Sequence, residues 1–99
     1  MASTAGCSGE IAISTTARCG PSIAGERFWF SAPKGNPGRI YIGFNEDGAI
    51  TVPDGDDGIT CGIELQKGVL WGPIPVANLN LLDFIGSADG CSVLYFGVR

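Results

Sequence analysis

The sequence predicts an all-β chain: a single-domain antiparallel β-sandwich, jelly-roll-like, with about eight short strands. Three observations predict it. Short runs of β-branched and aromatic residues alternate with polar ones; Gly, Pro, Asn and Asp turn signals recur at intervals of roughly eight to twelve residues; and no stretch carries the 3.6-residue period of an amphipathic helix of useful length. Ninety-nine residues suffice for one hydrophobic core and no more.

In order, residues 1–9 (MASTAGCSG) are small and polar and read as a flexible N-terminal arm, leaving 10–99 as the sandwich domain. Glu10–Arg18 is a strand broken by Cys19-Gly20-Pro21. Gly25–Asn45 reads as the central β-hairpin, two extended runs around a loop of Lys34, Gly35, Asn36, Pro37 and Gly38. Alternation puts Phe28, Phe30 and Ala32 on one face, with Ile40, Ile42 and Phe44 as their expected cross-strand neighbours, and turns Trp29 and Tyr41 to the other face. Asp47-Gly48 signals another hairpin into a short strand, Ala49–Val52. Asp54–Gly58 is a polar loop, and Ile59–Gln66 a strand with Ile59, Cys61, Ile63 and Leu65 inward. Val69–Val76 is apolar but holds Pro73 and Pro75, so it is an edge strand or an extended crossing segment. Asn78–Leu81 is a short helical turn, Leu82–Gly86 a strand, Ser87–Gly90 a tight turn and Cys91–Val98 the closing strand. That last strand is apolar on both faces, so it is either central or covered by another molecule.

Composition narrows the function classes. Charged residues make up 16%, below the roughly 25% of an ordinary domain. The surface must therefore be neutral and Ser/Thr/Gly-rich, or apolar in patches that serve as contact sites. The net charge is −4 and the six basic residues (Arg18, Arg27, Lys34, Arg39, Lys67, Arg99) are dispersed, which argues against nucleic acid as a partner. No apolar run approaches the ~20 residues of a membrane helix, and no membrane partner is expected. The N-terminus lacks the basic and apolar regions of a signal peptide, so synthesis in a cytoplasm is expected. From the Met-Ala start and the end just after an apolar strand, a complete small gene product is expected.

There is no histidine, which excludes Ser-His-Asp and Cys-His machinery and zinc sites with histidine ligands. Cys7, Cys19, Cys61 and Cys91 contain no C-x-x-C pair, unlike a four-thiolate zinc site. Cys61 and Cys91 are expected as buried thiols. Cys7 with Cys19 is the pairing expected of a disulfide should the protein mature outside the cell, and a cysteine in the arm offers a link between subunits. The spacing of Asp54, Asp56 and Asp57 is reminiscent of a calcium loop, but the twelfth position is Leu65, with Glu64 one place off, so a solvated turn is the better reading. The paired carboxylates lie in glycine-rich turns with nothing to perturb their acidity. No catalytic residue, cofactor or metal is expected, and the chain reads as a non-enzyme. Trp29, Tyr41 and Trp71 leave three readings open: core filling, subunit contact, or a sugar-stacking platform.

The segment from Arg39 to Val98 resembles small virion proteins of tailed bacteriophages. The resemblance lies in RIYIGF, then an acidic turn, GITCGIELQKGVLWGPIPVANLNLLDFIG and the closing CSVLYFGV. In that group a "yIG" strand precedes a "G-x-x-L-x-x-G" turn, an "N-L-x-x-L/I-x-x-I-G" segment and an apolar last strand. The two prolines of VLWGPIPV depart from the pattern. The resemblance implies a capsid decoration, or cement, protein that binds the outside of an icosahedral phage head, clamps neighbouring subunits and stabilises it. It implies the major capsid protein and further copies of itself, as a trimer, for partners, and the virion as its location after synthesis in the host cytoplasm. On this reading Trp29, Tyr41 and Trp71 are the contact anchors, with Ser3 and Thr4 in the arm as further partner-binding residues. The alternatives are a carbohydrate-binding module or receptor-binding tip, and a tail tube or terminator subunit.

Overall fold

The closing strand, β8 (Cys91–Val98), shows how the sequence becomes layers. Cys91, Val93, Tyr95 and Gly97 are buried, while Leu94 and Phe96 between them are exposed. Period-two burial of this kind requires a sheet with one face on a core. The computed structural model describes residues 6–46, 48–53 and 61–98. Besides β8 it contains β1 (Gly6–Ile13), β2 (Arg18–Cys19), β3 (Arg27–Ser31), β4 (Ile40–Phe44), β5 (Ile63–Leu65), β6 (Leu70–Pro75), a 3-10 turn (Leu79–Leu81) and β7 (Leu82–Gly86).

The strands form two four-stranded sheets, β1-β8-β3-β6 and β2-β7-β4-β5, with every pairing antiparallel. Strand β1 pairs with β8, β2 with β7, β3 with β6 and β4 with β5. The chain is thus a long antiparallel ribbon, wrapped so that successive pairs fall in alternate sheets. This is the jelly roll, two Greek keys in a double sheet. The proline-bearing β6 lies at the edge of the first sheet and β8 is an interior strand, in each case one of the two readings the sequence leaves open. Asn78 caps the 3-10 turn by accepting the Asn80 amide at 3.0 Å, and it also accepts from the Ile23 amide at 3.1 Å.

The core lies between the sheets. Phe28, Phe30 and Ala32 enter from the first and Ile40, Ile42, Leu65, Leu82 and Phe84 from the second. Phe30 and Phe84 meet across the gap with ring centroids 5.5 Å apart and planes at 59°, a tilted contact worth ~1 kcal/mol beyond the area buried.

Several sequence expectations are corrected, among them the single strand over Glu10–Arg18, which is divided between β1 and β2. The central hairpin does not form: β3 and β4 belong to different sheets and never pair. Phe28, Phe30 and Ala32 do share a core with Ile40 and Ile42, but they face each other from opposite layers. The segment between is an arch, held by Asn36. Beyond Ser31, β8 loses its partner on that side, and the Asn36 carboxamide substitutes for a strand: Nδ2 donates to the Ser92 carbonyl at 2.8 Å, and Oδ1 accepts the Ser92 amide at 3.0 Å. The part of the expected arm from Gly6 to Gly9 is ordered strand: these residues are the first half of β1 and pair with Tyr95–Val98. The lack of a side chain at Gly9 is what fits it there: a Cβ on Gly9 would lie 2.8 Å from the Tyr95 hydroxyl. Residues 1–5 lie outside the described residues. Ala49–Val52 is no ladder strand. Thr51 makes one isolated bridge to Cys61, and the segment folds over the outside of the second sheet. Leu65 is buried as expected, but Ile63, on the edge strand β5, is 61% exposed. Asp54–Gly58 and Ile59 lie outside the described residues.

Large and small residues interdigitate beneath the first sheet. Phe28 is paired in register with Gly97 and is fully buried. A Cβ on Gly97 would lie 2.5 Å from the Phe28 ring and 2.9 Å from the Arg27 carbonyl oxygen. Gly97→Ala is therefore expected to destabilise the fold by about 1–3 kcal/mol through overpacking, measured as a lower urea midpoint at unchanged slope.

Candidate functional site

The outer face of the first sheet is the candidate contact surface. Residues directly opposite one another in a ladder share a face, so the outward set follows from the registers: Ser8, Glu10 and Ala12 on β1, Ser92, Leu94 and Phe96 on β8, Arg27, Trp29 and Ser31 on β3, and Leu70 on β6. Trp29 stacks flat on Phe96, with centroids 4.9 Å apart and an interplanar angle of 8°. Leu94 and Leu70 extend this apolar patch, and Leu70, Leu94 and Phe96 are 56%, 45% and 41% exposed. Serines, Glu10 and Arg27 surround it. An apolar centre with a polar rim is the arrangement of a protein contact surface.

A second exposed apolar group lies at one end of the other sheet. Phe44, the last residue of β4, and Leu81, from the 3-10 turn, line a cleft with Asn45 and Glu46. Ile63 is the diagonal neighbour of Phe44 across the β4–β5 ladder. Phe44 is 58% exposed and Leu81 46%.

The structure separates the three aromatic residues expected to act together. Trp29 is on the outer face of the first sheet. Trp71, opposite Phe30, packs against the main core. Tyr41 is buried in a satellite cluster with Ile50 and Ile85 on the outside of the second sheet. No single platform contains all three, which corrects the sugar-stacking arrangement. Ser3 and Thr4 lie outside the described residues. Phe96, Leu94 and Leu70 were not singled out from the sequence, although the two-faced apolarity of CSVLYFGV was the signal for the first two.

Tyr41 is covered because the 45–52 segment is pinned down. Asp83, buried on β7, accepts from Asn45 Nδ2 at 3.0 Å and from the Ile50 amide at 3.3 Å, and Asn45 Nδ2 also reaches the Asn80 carbonyl at 2.9 Å. These bonds draw Ile50 over Gly43, Tyr41 and Ile85. Among the described residues the outside of the second sheet is covered, and nothing packs over that of the first.

All four cysteines are free thiols, so the Cys7–Cys19 disulfide is corrected. Cys7, opposite Gly97, packs toward the core from the first sheet. Cys19, opposite Asp83, lies on the outward side of the second, so the two side chains point in different directions from different layers. Among the described residues no cluster of three Cys, Asp or Glu side chains is placed to hold a metal ion, and no helix is long and apolar enough to cross a membrane.

Two outcomes are expected. A thiol reagent labels exposed Cys19 first and buried Cys91 only on unfolding, with no change in melting temperature on adding reductant. Asp83→Ala, which strands the Ile50 amide, costs about 2 kcal/mol and exposes Tyr41, read by denaturation and by tyrosine accessibility. Comparison with family models, with curated proteins and with solved structures finds no match for this chain.

Proposed function

We propose that this protein is a viral structural protein, a capsid decoration or cement protein that binds the outside of an icosahedral phage head and bridges its subunits. The observation that carries the reading is the presence of two separate exposed apolar groups on one 99-residue body: the Trp29–Phe96 patch on the first sheet and the Phe44–Leu81 cleft at the end of the second. A small domain with few charges and two adhesive surfaces can join two neighbours, whereas a binding module needs only one. The resemblance over Arg39–Val98 gives the reading its particular form. Jelly rolls serve in viral capsids and also in lectins, so the fold by itself does not choose. The dispersal of Trp29, Tyr41 and Trp71 bears equally on the sugar-stacking platform and on their expected role as capsid contact anchors. Of the three, Trp29 alone lies on an exposed apolar patch, so the reading rests on the two exposed apolar groups instead.

In this reading the Phe44–Leu81 cleft seats on the capsid. Each contact is small, but repetition over the lattice keeps a bridging protein attached, because a second site binds at high effective concentration once the first is engaged. The test is co-sedimentation. Purified protein pellets with stripped heads of its parent phage to a saturable ratio and raises the temperature at which they release DNA. Replacing Phe44 and Leu81 together by Ser weakens the binding about tenfold or more. Protein that stays in the supernatant at every ratio overturns the reading.

A further inference from the structure

We infer that the outer face of the first sheet is a self-association surface, taken by the same face of a second copy across a twofold axis through Phe96 and Leu70. The argument is one of position and charge. On this face Glu10 stands beside Leu94, and Arg27 beside Val98. Relative to Phe96, Glu10 is therefore one strand toward β1 and two residues back, and Arg27 one strand toward β3 and two residues forward. With strands ~4.8 Å apart and a rise of ~3.4 Å per residue, the two charges sit about 8 Å from Phe96 in opposite directions.

An axis lying in the face, through Phe96 and at right angles to the Glu10–Arg27 line, exchanges those two positions. It places each copy's Glu10 against the other copy's Arg27, and does so twice. Leu70 stands beside Ser31, two strands over from Phe96 and two residues back, and on the same lattice it falls on that axis. Phe96 and Leu70 then each meet their own counterpart, and Trp29 lies over the other copy's Leu94. Unlike charges meet at the rim and apolar side chains meet at the centre, as an isologous interface requires. The strands of the two copies cross steeply, within the orthogonal class of sheet packing.

Both charged groups are free for this role. Glu10 and Arg27 are exposed, and the ion pair found among the described residues, Arg39–Glu64 at 3.8 Å, belongs to the other sheet. A face of four strands buries on the order of 1,000 Å² over both copies, close to the lower limit for a specific interface. The dimer is accordingly a weak one, with a dissociation constant in the micromolar range.

Sedimentation equilibrium of the full chain, from about 1 μM to about 1 mM, tests this. A monomer–dimer equilibrium is expected. Glu10→Arg and Arg27→Glu each weaken it about tenfold or more, and the two together restore it to within about threefold of the native value. Phe96→Ser abolishes the dimer. All three positions are exposed, and an unchanged melting temperature shows that the variants fold. A chain that stays monomeric throughout, as it does if this face takes a glycan or an unrelated protein, overturns the inference. So does a trimer, and so does a charge swap that fails to rescue. Phe44→Ser leaves the dimer intact, so failure of self-association is distinguishable from failure of head binding.

Discussion

The fold depends on the space made for Phe28. Its ring is fully buried; two glycines, Gly25 and Gly97, make room for the ring, and a third, Gly72, for the residue's backbone. A Cβ on Gly25 would lie 2.7 Å from the ring, one on Gly97 2.5 Å from it, and one on Gly72 2.8 Å from the Phe28 carbonyl oxygen. Gly72 also has φ +136°, a conformation that residues with a Cβ rarely adopt. Gly25 leads into β3, Gly97 is in β8 and Gly72 in β6, so the ring sets how closely β8 approaches β3, and the backbone beside it how closely β6 does. Sixteen glycines in 99 residues raise the entropy cost of folding. Here several of them trade side-chain packing of their own for a single large residue whose burial contributes about 2–3 kcal/mol.

The same strand that completes this core creates the contact surface. Strand β8 lies between β1 and β3, so its ladder is satisfied on both edges and its inward residues are enclosed. Among the described residues its outward face meets no covering layer, because the segments that cross the sandwich exterior, 14–17 and 48–52, pack on the second sheet. Leu94 and Phe96 are left in solvent beside Trp29. The asymmetry follows from Asp83. The hydrogen bonds it accepts from Asn45 and Ile50 hold a loop against one sheet, and among the described residues the other sheet has no equivalent clamp.

Strand positions were largely legible in the residues, because alternation, glycines and prolines act locally. Pro73 and Pro75 placed β6 at an edge, and Asn78 marked the 3-10 turn. Strand partners were not legible. Phe28, Phe30, Ala32, Ile40 and Ile42 all point inward, and alternation says which face a residue occupies without saying in which sheet. A loop with prolines at 33 and 37 fits a hairpin or an arch equally well; what decides is Asn36, whose carboxamide pairs with Ser92, 56 residues away. Long-range bonds of this kind leave no local pattern. The start of β1 was hidden for the opposite reason: Gly9 adds to the composition of a flexible arm because the strand needs it bare beside Tyr95. The candidate surface was half visible. Its signal was two-sided apolarity in the last strand, while the tryptophans and Tyr41 drew attention to residues that the wrapped topology scatters over three environments.

Jelly-roll wrapping also explains why core and surface can change independently. Along β8 the odd-numbered positions 91 to 97 serve the core, and the even-numbered positions face out. A substitution at 94 or 96 alters exposed apolar area while leaving the packing around Phe28 and Val93 in place; one at 97 does the reverse. Contact surfaces on such a strand are therefore free to diverge while the inward pattern stays fixed. A chain of this architecture is accordingly recognised by its folding constraints sooner than by its partners. The low charge content fits the same logic. A sheet face that must release water from Leu70, Leu94 and Phe96 gains from neutral neighbours such as Ser8, Ser31 and Ser92, whose hydroxyls are cheaper to desolvate than ammonium or carboxylate groups. Glu10 and Arg27 are the exceptions on that face. Their symmetric placement about Phe96 lets each be neutralised by a second copy, so the face can close on itself without burying an uncompensated charge.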